Sequence, residues 1–219
     1  MSEPDSGLWL GIDTSTAVAV GVARPGVVLA RGFVDPTNVH AEQLMPLVAA
    51  TVAEAGIALG DLAGAVVGLG PGPFTGLRVG IVTAQTLAHA LHIPLRGVCS
   101  LDVVAVQHAT VAPGDFVVAT DARRKELYWA RYDFRGRRLD GPHVTYPSDL
   151  PDLPIVGPGA ALYPDVIGER AGDPLRLDAG VLAAHAKALP GAGHEPLYLR
   201  RPDAQPPTGR KSALTRRDA

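Results

Sequence analysis

Gly68-Leu69-Gly70-Pro71-Gly72-Pro73-Phe74-Thr75-Gly76-Leu77-Arg78-Val79-Gly80-Ile81 joins an apolar run to a glycine- and proline-rich turn and then to a helical repeat. Upstream, Leu62 to Leu69 has strand length and composition; downstream, Thr75 to Leu91 carries apolar residues at helical spacing. Between them, Gly70-Pro71-Gly72-Pro73 fits neither a helix interior nor a central strand. Strand, rigid turn and helix in that order specify an α/β chain. The turn offers a small-residue surface on which either another backbone or a phosphate can rest.

Outward from this block, Leu8–Ile12, Ala17–Val22 and Val27–Val34 read as three strands with tight connections, an antiparallel meander. The first connection, Asp13-Thr14-Ser15-Thr16, combines an acid with three hydroxyls. Such a turn either holds a metal ion or phosphate or hydrogen-bonds its own backbone. Ala41 to Ala55 places Leu44, Leu47, Val48, Thr51, Val52 and Ala55 at helical spacing, with Thr37 or Asn38 as N-cap and Gly56 as C-cap. His40 stands at its start without a second ligand-type side chain at metal spacing, so it reads as a capping or solvent residue. In the second helix Gly76, Gly80, Thr83, Ala84, Thr86, Ala88 and Ala90 leave wide faces with only small side chains. Such a helix packs tightly inside its own domain or against a helix of another chain.

Arg96–Val98 then reads as a strand, Ser100 as an N-cap and Leu101–Ala109 as a helix. The second half restarts with strands at Phe116–Thr120 and Glu126–Phe134 around the polar turn Asp121-Ala122-Arg123-Arg124-Lys125, an echo of the first half. The basic turn reads as a phosphate grip or as a solvated hairpin. Residues 135–153 read as loop, 154–160 as a strand entering a Gly-Pro-Gly turn, 180–189 as a helix behind an Asp178 cap, and 195–200 as a short extended segment.

The 219 residues are 47% hydrophobic, enough for a sizeable core in one large or two small domains. No apolar run approaches the ~20 residues of a membrane-spanning helix. Glu3 and Asp5 stand where a signal peptide carries basic residues, so a cytoplasmic protein is expected. The single Cys99 excludes an internal disulfide and reads as a small buried hydrophobe. The net charge is −2, but the last twenty residues hold six basic and two acidic side chains, a basic tail on a mildly acidic body. No P-loop, GxGxxG, HExxH or GxSxG pattern occurs, and the seven histidines include no HxxxH pair.

LGIDTSTAVAVGVA at the start, His40 leading a helix with LMP, GLGPGPFTGLRVGI, GVCSLDVVA, TDARRKELYWARYD and the closing EPLYLR together resemble the TsaB (YeaZ) family. That family takes part in forming threonylcarbamoyladenosine at position 37 of tRNAs reading ANN codons. The resemblance spans residues 8 to 200. It implies a two-lobed, actin-like, Hsp70-like and sugar-kinase-like α/β fold with mixed five-stranded sheets. Residues 1–103 would form an N-terminal lobe, 104–200 a C-terminal lobe and 201–219 a basic disordered tail. It further implies a non-catalytic scaffold that binds the paralogue TsaD and the ATPase TsaE and meets tRNA only through the complex. A homodimer is expected in isolation. Where the catalytic paralogue carries its metal-binding His-x-x-x-His pair, this chain reads Cys99-Ser100-Leu101-Asp102-Val103. No catalytic residue, metal ligand or cofactor is therefore expected in the chain itself, with ATP and a metal ion in the partner subunits. The docking surface implied is His40, Leu44, Leu47, Val48, Thr75, Arg78, Val79, Thr83, Ala84 and Leu87. Pro73 departs from the Ser of many relatives and removes a phosphate donor. The alternative is an ATP-dependent kinase-like or carbamoyl-transfer enzyme, with Asp13, Thr14, Ser15, Thr16, Gly70 and Gly72 at the phosphates and Asp121 as base or metal ligand.

Overall fold

The computed structural model describes residues 7–34, 40–167 and 175–200. Three antiparallel strands, β1 (Leu8–Asp13), β2 (Val18–Arg24) and β3 (Val27–Val34), form the meander. Helix α1 (His40–Glu54) leads to β4 (Leu62–Gly68), which pairs parallel to β1. Helix α2 (Phe74–Leu91) leads to β5 (Leu95–Val98), parallel to β4. After α3 (Ser100–Ala109), a second sheet is built from β6 (Phe116–Asp121), β7 (Leu127–Tyr132), β8 (Arg138–Thr145) and β9 (Ile155–Val156). Helix α4 (Ala179–Ala184) and the short β10 (Gly191–Gly193) follow.

The strand orders are β10-β5-β4-β1-β2-β3 and β8-β7-β6-β9. The second sheet repeats the 3-2-1-4 arrangement of the first, with two antiparallel pairings and one parallel pairing in each. Both faces of the first sheet are covered, which is why its strands read as near-continuous apolar runs. One face, with Leu10, Ile12, Val20 and Val67, packs under α1 and α2. The other, with Trp9, Ala19 and Val66, meets α3, α4 and the inner face of the second sheet through Phe116, Val118 and Tyr132. This two-lobed α/β arrangement is the expected fold class, but the strands divide six and four among the described residues.

Residues 179–193, read from the sequence as second-lobe, lie against the first sheet. Helix α4 packs across β1, β2 and β3, and β10 pairs antiparallel with β5. Glycines explain the approach: a methyl group on Gly21 would overlap the α4 backbone at Ala179 and Gly180. Gly21→Val is accordingly expected to cost about 3 kcal/mol or more, because backbone rather than a movable side chain fills the space. That is a fall of roughly 6–12 °C in Tm for a chain of this size. Gly60→Ala, where nothing lies within 4 Å, serves as the neutral comparison in thermal unfolding.

Other differences are local. Strand β8 falls in the stretch read as loop; it is the polar edge of its sheet and contains Gly141-Pro142, so it lacks the apolar alternation of a half-buried strand. Asp178 caps α4 as expected, accepting from the Gly180 and Val181 amides, but the helix closes at Ala184 rather than 189. Cys99, not Ser100, holds the N-cap position of α3. Cys99 is fully buried, and burial pushes its thiol up to about 12. The candidate caps Thr37 and Asn38 and the tail 201–219 lie outside the described residues.

Candidate docking face and the turn that sets it

The Asp13-Thr14-Ser15 turn is turned inward, with all three residues at 3% exposure or less. Asp13 Oδ1 accepts from the Ser15 amide at 2.8 Å and the Ser15 hydroxyl at 2.6 Å, while Oδ2 accepts from Ser100 Oγ at 2.5 Å. Burial raises the Asp13 pKa above its ordinary 3.8, and the bonds from Ser100 and Ser15 oppose that rise. Ser100 departs from its expected capping role because its hydroxyl serves this carboxylate while accepting from the Gly70 amide at 3.0 Å. The Ser100 amide in turn donates to the Gly70 carbonyl. Thr14 Oγ1 donates to the Gly76 carbonyl at 2.7 Å and accepts from the Gly80 amide at 3.1 Å, so it joins backbone groups one turn apart on α2.

These bonds tie the first hairpin, the glycine-rich turn and the start of α3 into one cluster that sets the direction of α2. The small residues are needed for it. A methyl at Gly68 would overlap Asp13 Oδ2, one at Gly80 would overlap Thr14 Oγ1, and one at Gly72 would stand 2.6 Å from the Ser15 carbonyl. Gly70 adopts φ +92°, the left-handed region open to glycine, as the chain turns toward the helix. Of the groups named as phosphate candidates, Asp13, Thr14, Ser15 and Gly70 are thus buried and hydrogen-bonded within their own chain, while Gly72 is buried against the Ser15 backbone and lines a cavity of about 190 Å3 shared with the 122–124 turn. Thr16 is half-buried. Asp121 is in the other lobe, accepting from the Arg123 amide at 2.7 Å and facing the Arg123 guanidinium at 3.6 Å.

Among the residues implied as docking surface, Leu44, Val48 and Ala84 are at 1% exposure or less and belong to the core under α1 and α2. They cannot meet a partner without unfolding the lobe. The stripe Gly76, Gly80, Ala84 and Ala88 faces inward, toward Thr14 and the sheet. Close packing inside its own domain is therefore what the small residues serve. Leu47, Val79, Thr83 and Leu87 are half-buried, and Thr75 and Arg78 are exposed. His40 opens α1, and its side chain lies outside the described residues. The exposed residues of the two helices include Met45, Ala49 and Ala53 on α1 and Val82, Thr86 and Ala90 on α2, with Glu42, Glu54, Arg78, Gln85 and His89 exposed as well. Met45 is 44% and Val82 57% exposed. The sequence missed this row because single apolar residues on a mostly small-sided helix give no sign of which side meets the sheet.

The N-terminal end of α2 is clamped by the closing segment. Tyr198 stacks on Phe74 with ring centroids 4.8 Å apart and accepts from Arg78 Nε at 3.0 Å, while the Arg78 guanidinium lies 3.8 Å from the Phe74 ring centroid. Arg200 donates to the Ala122 carbonyl at 2.7 Å and pairs with Glu126, so residues 198–200 link α2 to the 121–126 hairpin. Arg123, Arg124 and Lys125 in that hairpin all take positive φ, between 54° and 64°. Tyr198→Ala removes the stack and the Arg78 bond. A loss of about 1–2 kcal/mol is expected, read as a lower urea midpoint at unchanged m-value.

A family model described as TsaD, tRNA N6-adenosine threonylcarbamoyltransferase, matches residues 35–158. The tRNA threonylcarbamoyladenosine biosynthesis protein TsaB of Escherichia coli is 32% identical over 87% of this chain and 94% of its own length. An uncharacterized protein of Mycobacterium tuberculosis is 44% identical over 94% of this chain and 98% of that one. The solved structure of YeaZ from Pseudomonas aeruginosa superposes with a TM-score of 0.71 at 28% identity, covering 88% of this chain and all of that one.

Proposed function

The chain belongs to the TsaB (YeaZ) family, and we propose that it is a non-catalytic scaffold in tRNA threonylcarbamoyladenosine formation, docking TsaD through the outward surface of α1 and α2. The single observation that carries the reading is the geometry of that surface: small and apolar side chains on two packed helices, set on a rigid hub. Apolar residues flanked by alanines let a partner helix come close and bury Met45 and Val82, the arrangement of a central anchor in a protein interface. The match of residues 35–158 to the TsaD family supports a partner built on the same fold.

The scaffold reading is also supported by what occupies the seam between the sheets. Both oxygens of Asp13 are taken by hydroxyls and an amide, and the recess lined by Ser15 and Ser100 measures about 10 Å3, against the several hundred Å3 of a small-molecule site; the larger cavity of about 190 Å3 between Gly72 and the 122–124 turn does not have Asp13 in its lining. Among the described residues no three His, Cys, Asp or Glu side chains gather at metal-holding distance. On this reading nucleotide and metal chemistry is left to TsaD and TsaE, with tRNA reached through the assembled complex. In isolation a second copy of the chain covers the same face; the chain passes to the second lobe near residue 103 with residues 179–193 returning to the first sheet, and a cytoplasmic location belongs to this reading.

Reconstitution tests it. Purified TsaD and TsaE, supplied with tRNA, ATP and a threonylcarbamoyl donor, are expected to form the modified nucleoside only when this chain is added, while this chain alone forms none. Modification by the chain alone, or ATP turnover by it, would overturn the scaffold reading in favour of the kinase-like one.

A further inference from the structure

We propose that the seam between the two sheets is a binding site for one structural water, held by Thr120 Oγ1 from the second lobe and by Ser15 and Ser100 from the first. Thr120 is the penultimate residue of β6, is 4% exposed, and its hydroxyl is buried without a hydrogen-bond partner among the described residues. An unpaired buried hydroxyl costs about 1–3 kcal/mol, so its partner needs identifying. Thr120 lines the recess of about 10 Å3 together with Ser15, Thr16 and Ser100, and Leu177 and Pro158 close it on the apolar side. That volume is about one water-sized sphere, the minimum that admits a water and too small for a phosphate.

Donor and acceptor accounting gives the orientation. Ser15 Oγ spends its proton on Asp13 Oδ1, and Ser100 Oγ spends its own on Asp13 Oδ2 while accepting from the Gly70 amide. Both hydroxyls therefore face the recess only as acceptors, through their remaining lone pairs. A water satisfies all three groups by donating one proton to each serine and accepting from Thr120. Its role is to bridge the hub that aims α2 to β6 of the second lobe through one hydrogen-bonded water. The inference does not depend on the docking reading, since it concerns the folded chain alone.

Crystals of the full chain diffracting to about 1.5 Å test it, compared with Thr120→Ser and Thr120→Val. A single peak at hydrogen-bond distance from Thr120 Oγ1 and a serine hydroxyl, kept in Thr120→Ser and lost in Thr120→Val, is the expected result. A recess without a peak in the wild-type protein overturns the proposal. So does a peak at the 2.0–2.6 Å of a coordinated cation, or a peak unchanged in Thr120→Val. If Thr120→Val fails to fold, the wild-type and Thr120→Ser maps decide.

Discussion

Val82→Arg is expected to abolish co-purification with TsaD, raising the dissociation constant at least about 30-fold, while leaving the fold intact. Val82 projects from α2 at 57% exposure, so a longer charged side chain there reaches solvent in the free chain and costs within about 0.5 kcal/mol of stability. In the complex, the same side chain would place an unpaired charge at the centre of an apolar contact, a loss of about 2 kcal/mol or more. Ala84→Arg, two positions on, has the opposite signature. Ala84 has no exposure and packs in the core under α2, so arginine there unfolds the lobe. Size-exclusion chromatography, circular dichroism and a pull-down on the two variants separate the outcomes. A complex that survives Val82→Arg removes this surface from the interface.

Asp13→Ala is expected to lower stability by about 3–4 kcal/mol, on the order of 10 °C in Tm. It deletes an acceptor shared by three donors and leaves the Ser15 amide and the Ser15 and Ser100 hydroxyls to hydrogen-bond elsewhere in a buried site. The turn that aims α2 loosens with it, so partner binding weakens at temperatures where the chain is still folded. Asp13→Asn costs less, because one acceptor remains, and it isolates the charge. Burial holds Asp13 above 3.8, so as pH falls the folded state takes up the proton before the unfolded chain does. Its contribution to stability is therefore present below pH 3.8 and lost as pH rises toward the folded value. The stability of the wild-type chain relative to Asp13→Asn is expected to decline as pH rises from about 4, then level off. A relative stability that rises with pH over that range would show that the hydrogen bonds outweigh desolvation.

Much of this molecule is legible in its residues. The meander, the strand-turn-helix at Gly68 to Ile81 and the Asp178 cap follow from period, turn chemistry and capping. The inward and outward sides of α2 were not legible. Leu77, Ile81, Val79, Val82 and Leu87 spread apolar residues around the helix, and only the contact of Thr14 with Gly76 and Gly80 tells that the small stripe faces the sheet. The placement of α4 was hidden for a similar reason. Its short run AGVLAA fits either lobe, and the matching glycines, Gly11 and Gly21, lie over 150 residues earlier. Ser100 shows the limit of local rules: the residue has the composition of a cap, but a buried carboxylate 87 positions away takes its hydroxyl.

Hydrogen–deuterium exchange on this chain, free and saturated with TsaD, tests the docking claim most directly. Slower exchange concentrated in α1 and α2, with the seam around Ser15, Ser100 and Thr120 unchanged, is the result predicted here. Slower exchange at that seam or in the 121–126 hairpin, with α1 and α2 unaffected, would contradict it.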